Sequence, residues 1–386
     1  MILDLELVAL EQPVAHGVFP PEPRWGMIET CAVPAAGGGA QQEMAEPERL
    51  KMFFSPRFGI DLGTANTVVC RPGRRIVLNE PSVMAVRVNG HSGPPVRVGH
   101  EARELVGRTP VGLMTVRPIR DGVITDLQSA RTFIVAILHQ VLRYPWERIR
   151  PCAAVGVPAG ATSLERRALI EAVEEAGVSH VELVPEPVAG AIGCGIDPLQ
   201  PRAHMVVDVG GGTAEVSAFC FGGILATRSC RVAGDEMTMA LHQYLRQEHQ
   251  LMVGELTAED IKIRLRDAAA EGQPLVVEGR DVLSSRPRLI TLDPKDVADA
   301  LRPTVDGIID ALTGCLEDLP PQAVGDIMHE GIIAFGGGSL LAGFEQRLEE
   351  EFGFSVQHAE RPLTCVAEGA ALVISMPAVI AAYSAR

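Results

Sequence analysis

Two acids in the chain close apolar runs and stand beside glycine. Asp61 lies in FGIDLGTANTVV, residues 58–69, and Asp208 lies in MVVDVGGGTAEVS, residues 205–217. Both segments follow one plan: apolar run, Asp, one apolar residue, Gly, a small polar turn, then a second apolar run. A turn without bulky Cβ atoms lets backbone N–H groups close on an anion, and such turns form phosphate nests. A carboxylate at the end of each strand, facing one cleft, can hold Mg²⁺ through its waters, because Mg²⁺ sheds hydration reluctantly and takes few carboxylates. The chemistry suggested is the binding of a magnesium-bound phosphate ester. One such hairpin alone is more often a plain tight turn. Two in matching positions, joined by a third glycine turn in GIIAFGGGSLLAGF (331–344), make coincidence a poor explanation. Gly336, Gly337, Gly338 and Ser339 read as the opening of a helix whose free N–H groups suit an adenosine or its phosphates. The Walker pattern GxxxxGK[ST] is absent, and the turns do not follow the dinucleotide fingerprint.

Such turns need strands to carry them. From Phe58 onward short apolar runs (FGIDL, RIVLN, SVMAVRV, CAAVGVP, HVELVP, MVVDVG, VSAFCFGG, GIIAFGG) alternate with helical patterns at Ala130 to Leu142, Ser163 to Ala176, Met237 to Gln250, Ala258 to Ala270, Pro294 to Leu316 and Leu340 to Glu351. This alternation predicts an α/β architecture with partly parallel sheets. The likeness of the two Asp hairpins predicts an internal duplication.

The chain has 386 residues, 47% hydrophobic and 22% charged, enough for two sizeable cores. Its formal charge of −15 argues against a general nucleic-acid binder, which needs clustered Lys and Arg. Eight cysteines occur without a CxxC pair, so reduced thiols are expected rather than zinc or a disulfide framework. Residues 1 to about 48 are rich in Pro and Gly without helical or strand period and read as a disordered leader, or as a start misplaced upstream of Met44 or Met52. MILDLELVAL lacks a basic n-region, and the apolar stretch from Gly369 to Ala385, broken by Ser375 and Pro377, is too short to span a bilayer. A cytoplasmic location is expected. Two segments mix aromatic and basic residues: RYPWERIR, with Tyr144 and Trp146, and RLKMFFSPR, with Phe53 and Phe54. Interfacial aromatics with basic neighbours suit a peripheral membrane contact, although an aromatic packed beneath its own loop would look the same.

The order of IDLGTANT, IVLNEPSV, GRTP, VRPIRDGVITD, GVPAGATSLERRA, EPVAGAIG, MVVDVGGGTAEV, AGDEM, TAEDIK, FGGGSLLAGF and PLTCVAEGA resembles the actin-like ATPase superfamily and, within it, the bacterial actins of the rod-shape-determining MreB family. The resemblance implies an actin-like fold: a leader over residues 1–55, one lobe over 56–198 completed by 358–386, and a second over 199–357 with a smaller subdomain at about 237–299. It implies ATP and Mg²⁺ as ligands. Gly63, Thr64, Ala65 and Asn66 would form the first phosphate hairpin, and Gly210, Gly211, Gly212 and Thr213 the second, with Asp61 and Asp208 beside the metal. Glu186 would orient the attacking water with help from Thr213, and Glu259 and Lys262, with the GGGS turn, would surround the adenine and ribose. Read without the resemblance, Glu186 ahead of Pro187 would merely finish a strand, and Glu259 with Lys262 would be an ordinary surface pair at i, i+3. The chain departs from the family where Ala214 replaces a second Thr, Pro185 replaces an acid, and Thr238 and Met239 replace acids, which bears on hydrolysis more than on binding.

The resemblance further implies a weak ATPase that assembles with itself into filaments at the inner face of the cell membrane, meeting wall-synthesis and membrane scaffold proteins. RYPWERIR stands where MreB proteins carry their membrane-touching loop. The competing readings are a specialised bacterial actin used for intracellular positioning and a small-molecule kinase of the same fold.

Overall fold

The computed structural model describes residues 56–383, apart from 74, 89–93, 121 and 125. Phe53 and Phe54 lie outside the described residues. Strands β1 (Arg57–Leu62), β2 (Asn66–Arg71), β3 (Arg75–Pro81), β4 (Cys152–Val157) and β5 (His180–Pro185) form one five-stranded sheet in the order β5-β4-β1-β2-β3. Strands β6 (His204–Val209), β7 (Ala214–Cys220), β8 (Gly223–Cys230), β9 (Ile332–Phe335) and β10 (Val356–His358) form another in the order β10-β9-β6-β7-β8. The two orders are the same. In each sheet the strand ending in Asp pairs antiparallel with the strand returning from its turn and parallel with its other neighbour. The expected duplication is therefore present in strand order and sense.

The sheets meet over two small-residue helices, α1 (Glu186–Gly193, EPVAGAIG) and α2 (Cys365–Val373, CVAEGAALV). Ala154 and Val184 from the first sheet, Val206, Phe219 and Phe335 from the second, and Val188, Ala189, Ala370 and Val373 from the helices share one buried cluster. The helices touch backbone to backbone: a Cβ on Gly369 would fall 1.7 Å from the Ala189 carbonyl oxygen, and one on Gly193 would fall 2.0 Å from that of Cys365. Only side chains this small allow the crossing.

The longer helices begin where capping residues dictate. Asp126 accepts the backbone N–H groups of Gln128 and Ser129 ahead of Leu127–Val141, and Thr162 with Glu165 forms a capping box ahead of Ser163–Glu175. Two expectations need correction. GGGS does not open an α-helix: Gly337–Leu340 is one 3₁₀ turn, and the α-helix starts only at Phe344, because Gly336 and Gly343 take positive φ angles of 82° and 79° that a helix cannot propagate. Pro185 and Glu186 do not merely finish a strand either, since Pro185 is the N-cap of α1 and Glu186 its first residue. Strands Leu275–Asp281 and Pro287–Leu292, which pair in a three-stranded sheet, have no counterpart among the expected strands. Exposed Val276 lies between buried Leu275 and Val277, and in Pro287–Leu292 only Leu292 is buried, so no long apolar run marks either strand.

Candidate functional site

The hairpins β1–β2 and β6–β7 share one register. Leu62 faces Thr67 and Val209 faces Ala214, so each turn contains four residues, Gly63 to Asn66 and Gly210 to Thr213. Both turns border a cavity of about 980 Å³ that is also lined by Asp61, Glu186, Asp208, Glu259, Lys262, Gly336, Gly337 and Gly338. Gly212 and Ser339 are buried and do not line it. The Ser339 hydroxyl is turned inward and donates to the Gly336 carbonyl at 2.8 Å.

Three carboxylates, Asp61, Asp208 and Glu186, converge on the cavity floor. Burial pushes Asp61 up to about 7. Burial, then the charges of Asp61 and Glu215, holds Asp208 well above the usual carboxylate range. Burial, then the charges of Asp61, Asp208 and Glu215, does the same for Glu186. All three residues keep partial exposure to the cavity, so theirs is the desolvation of a cleft floor and not of a sealed core. Uncompensated, converging carboxylates fit a divalent cation. Among the described residues no group of three or more His, Cys, Asp or Glu is arranged to ligate a metal directly.

Lys262 and Glu259 are more than a solvated pair. The Lys262 side chain is only 11% exposed and lies 2.7 Å from the Glu259 carboxylate. It donates to the Gly234 carbonyl at 2.7 Å and to the Thr238 hydroxyl at 3.0 Å. Thr238 Oγ1 stands 2.5 Å from the same Glu259 oxygen. The threonine that replaces an acid in the expected pattern thus stays inside the network as a neutral partner.

The motif VRPIRDGVITD supplies residues that the sequence reading left without a role. Arg117 pairs with Asp235 and Glu255 across the cavity rim. Gly122 donates its N–H to Thr64 Oγ1 at 3.1 Å, and a Cβ there would fall 2.8 Å from the Thr213 methyl, so this one residue bridges both four-residue turns. Its φ of 68° belongs to the left-handed region, which costs an L-residue about 1–2 kcal/mol. Gly122→Ala is therefore expected to lower stability by about 1–2 kcal/mol in urea unfolding. An unchanged midpoint would mean that Gly122 is not held between the turns. VRPIRDGV has no helical or strand period to mark these contacts; its Pro and Gly are the only local signal.

In RYPWERIR, Pro145–Arg148 forms a 3₁₀ turn, and the side chain of Trp146 lies outside the described residues. Glu147, which breaks the run of basic charge in sequence, is buried at 5% exposure and pairs with Arg71 at the end of β2. Burial pushes its carboxyl up, but the Tyr144 N–H at 3.0 Å and the Arg71 guanidinium outweigh this and hold it below its usual value. The outer face is left to Arg143, Tyr144, Arg148, Ile149 and Arg150, all exposed. No single helix among the described residues is long and apolar enough to cross a membrane.

Known proteins with this architecture agree closely. The family model described as MreB/Mbl protein matches residues 55–381. The cell shape-determining protein Mbl of Bacillus subtilis is 41% identical over 324 residues, covering 83% of this chain and 96% of the relative. The cell shape-determining protein MreB of Escherichia coli K12 is 39% identical over 333 residues, covering 85% and 96%. Among solved structures, MreB5 of Spiroplasma citri bound to AMPPNP superposes with a TM-score of 0.77 at 30% identity, covering 84% of this chain and 97% of that one. The filament protein MamK, at 22% identity and a TM-score of 0.69, shares the fold. The paired sheets, the two Asp-Gly hairpins and these matches lead to one conclusion: the chain belongs to the MreB/Mbl family of actin-like proteins.

Proposed function

We propose that this protein binds ATP with Mg²⁺ in the cavity bordered by its two hairpins, hydrolyses it slowly, and assembles head-to-tail into filaments that organise cell shape and wall synthesis. The observation that carries the reading is the convergence of Asp61, Asp208 and Glu186 with two side-chain-poor turns on one cavity. The Spiroplasma citri relative solved with AMPPNP and with ADP supports it, as do the cell shape-determining relatives.

In this reading the amides of Gly63 to Asn66 and Gly210 to Thr213 hold phosphate oxygens, and Asp61 and Asp208 hold Mg²⁺ through water. The metal supplies charge neutralisation on the phosphates. Glu186, at the head of α1, orients the attacking water with Thr213, while Glu259, Lys262 and the glycines from Gly336 border the nucleoside. Residues 56–198 with 358–386 form one lobe and 199–357 the other, with a smaller subdomain at about 237–299. Head-to-tail contacts that do not close on themselves give open filaments.

The filaments lie at the inner face of the cytoplasmic membrane, where they meet wall-synthesis and scaffold proteins. The exposed Arg143, Tyr144, Arg148 and Ile149, with Glu147 turned inward, support a basic, partly apolar contact surface. Attachment by so short a segment is marginal for one subunit and adds up along a polymer.

Ultracentrifugation at micromolar protein tests the reading. With Mg²⁺ and ATP most of the protein is expected in the pellet, and without nucleotide in the supernatant. Phosphoryl transfer to a small molecule without pelleting would point to a kinase instead. In the same assay with floated anionic vesicles, Trp146→Ala is expected to recover well below the parent, and equal recovery removes the loop as an anchor.

A further inference from the structure

The two hairpins match position for position, yet differ at one buried place. Asp61 faces Val68 across the first hairpin, and Asp208 faces Glu215 across the second. Val68 is 1% exposed and Glu215 4% exposed, so a carboxylate occupies the site where the duplicate holds an apolar side chain. A carboxylate is not buried cheaply unless something holds it. Here the backbone N–H of Ala159 donates to both Glu215 oxygens, at 3.0 and 3.4 Å. Thr227, itself 2.8 Å from Ser217, stands 3.5 Å from one of them.

Ala159 lies in a turn beside the other sheet. It follows β4, whose Gly156 abuts Glu186: a Cβ on Gly156 would meet the Glu186 Cγ at 3.2 Å. The turn that presents the Ala159 N–H is braced from Ser163–Glu175, where Arg166 donates to the carbonyls of Ala161 and Ala159 at 3.2 and 3.4 Å. Glu215 therefore extends from the strand opposite Asp208 to the strand end packed against Glu186, at the depth where the carboxylates converge.

We propose that Glu215 is a positioning residue for nucleotide hydrolysis: its hydrogen bond to Ala159 fixes the second hairpin, with Asp208 and Thr213, against the strand end that seats Glu186. This rests on the ATPase reading above. It assigns Glu215 no contact with the nucleotide; its work is to accept one N–H and hold two parts in register. A loss of register of this kind separates turnover from binding, since the turns still reach the phosphates while the water-orienting group is displaced.

The test compares Glu215→Gln, whose amide oxygen can still accept the N–H, with Glu215→Ala, which cannot. Glu215→Ala is expected to lower kcat roughly 10–100-fold with the Kd for ATP within about threefold, and Glu215→Gln to keep kcat within about threefold. Hydrogen exchange at the Ala159 amide is expected to be slow in the parent and in Glu215→Gln, and fast in Glu215→Ala. Three results overturn the inference: parental kcat in Glu215→Ala, Glu215→Gln falling as far as Glu215→Ala (the mark of a role that needs the charge), or an Ala159 amide indifferent to all changes. Should Glu215→Ala fail to fold, kcat and Ala159 exchange in Glu215→Gln decide alone. A parent chain that neither binds nor hydrolyses ATP sinks the ATPase reading itself, an outcome distinct from the other three.

Discussion

Glu186→Gln is expected to slow ATP turnover about 100-fold, or roughly 3 kcal/mol in activation free energy, while nucleotide affinity stays within about threefold. Glu186 opens α1 and lines the cavity, and its burial, then the neighbouring carboxylates, keep its proton affinity high. Positioning of the nucleophile does most of the protein's work in phosphoryl transfer, so exchanging the carboxylate for an amide leaves shape and removes the acceptor strength. Single-turnover hydrolysis, measured beside a fluorescent-nucleotide titration, separates the two effects. Turnover within a few fold of the parent would show that another group holds the water. A parallel drop in affinity would show that Glu186 supports the phosphates and not the chemistry.

The largest loss of stability is expected from one methyl group, in Gly369→Ala. The added Cβ would lie 1.7 Å from the Ala189 carbonyl oxygen, which belongs to the backbone of α1 and cannot rotate aside. Relief requires α1 and α2 to move apart, opening the cluster that joins the sheets. Overpacking of this kind costs about 3 kcal/mol or more, which for a chain of this length lowers the melting temperature by roughly 4 °C or more. Differential scanning calorimetry on the purified variant checks this. A midpoint within a degree of the parent would mean that the helices do not cross as closely as described. Because Glu186 opens α1 less than one turn before the contact at Ala189, the variant is also expected to hydrolyse ATP more slowly than its fold alone explains.

Much of this site could be read before any coordinates. Asp61, Asp208 and their turns announce themselves by local composition, and two short strings with the same plan were enough to expect duplicated sheets. What stayed hidden depends on partners distant in the chain. Glu215 looks like any polar residue alternating along a strand until Ala159 arrives from a turn beside the other sheet. Gly122 looks like a turn glycine until Thr64 and Thr213 close on either side. Glu147 was read as a charge interrupting a basic loop, because nothing near it in sequence reveals that Arg71 draws it inward. The GGGS turn failed for the opposite reason: its composition suits a helix start, but Gly336, packed against Asp208 and Val209 of the neighbouring strand, takes a positive φ that a helix cannot propagate.

The ion pair between Arg71 and Glu147 reaches further than its loop. Arg71 is the last residue of β2, and Asn66, the first, belongs to the glycine turn. Six residues of extended chain, about 20 Å, thus connect the place where phosphate would rest to the place where lipid would press. A strand hydrogen-bonded on both edges is stiff along its length, so under the proposed reading a tilt at one end would be carried to the other, and by thermodynamic reciprocity an occupied cleft and an engaged bilayer would each report on the other.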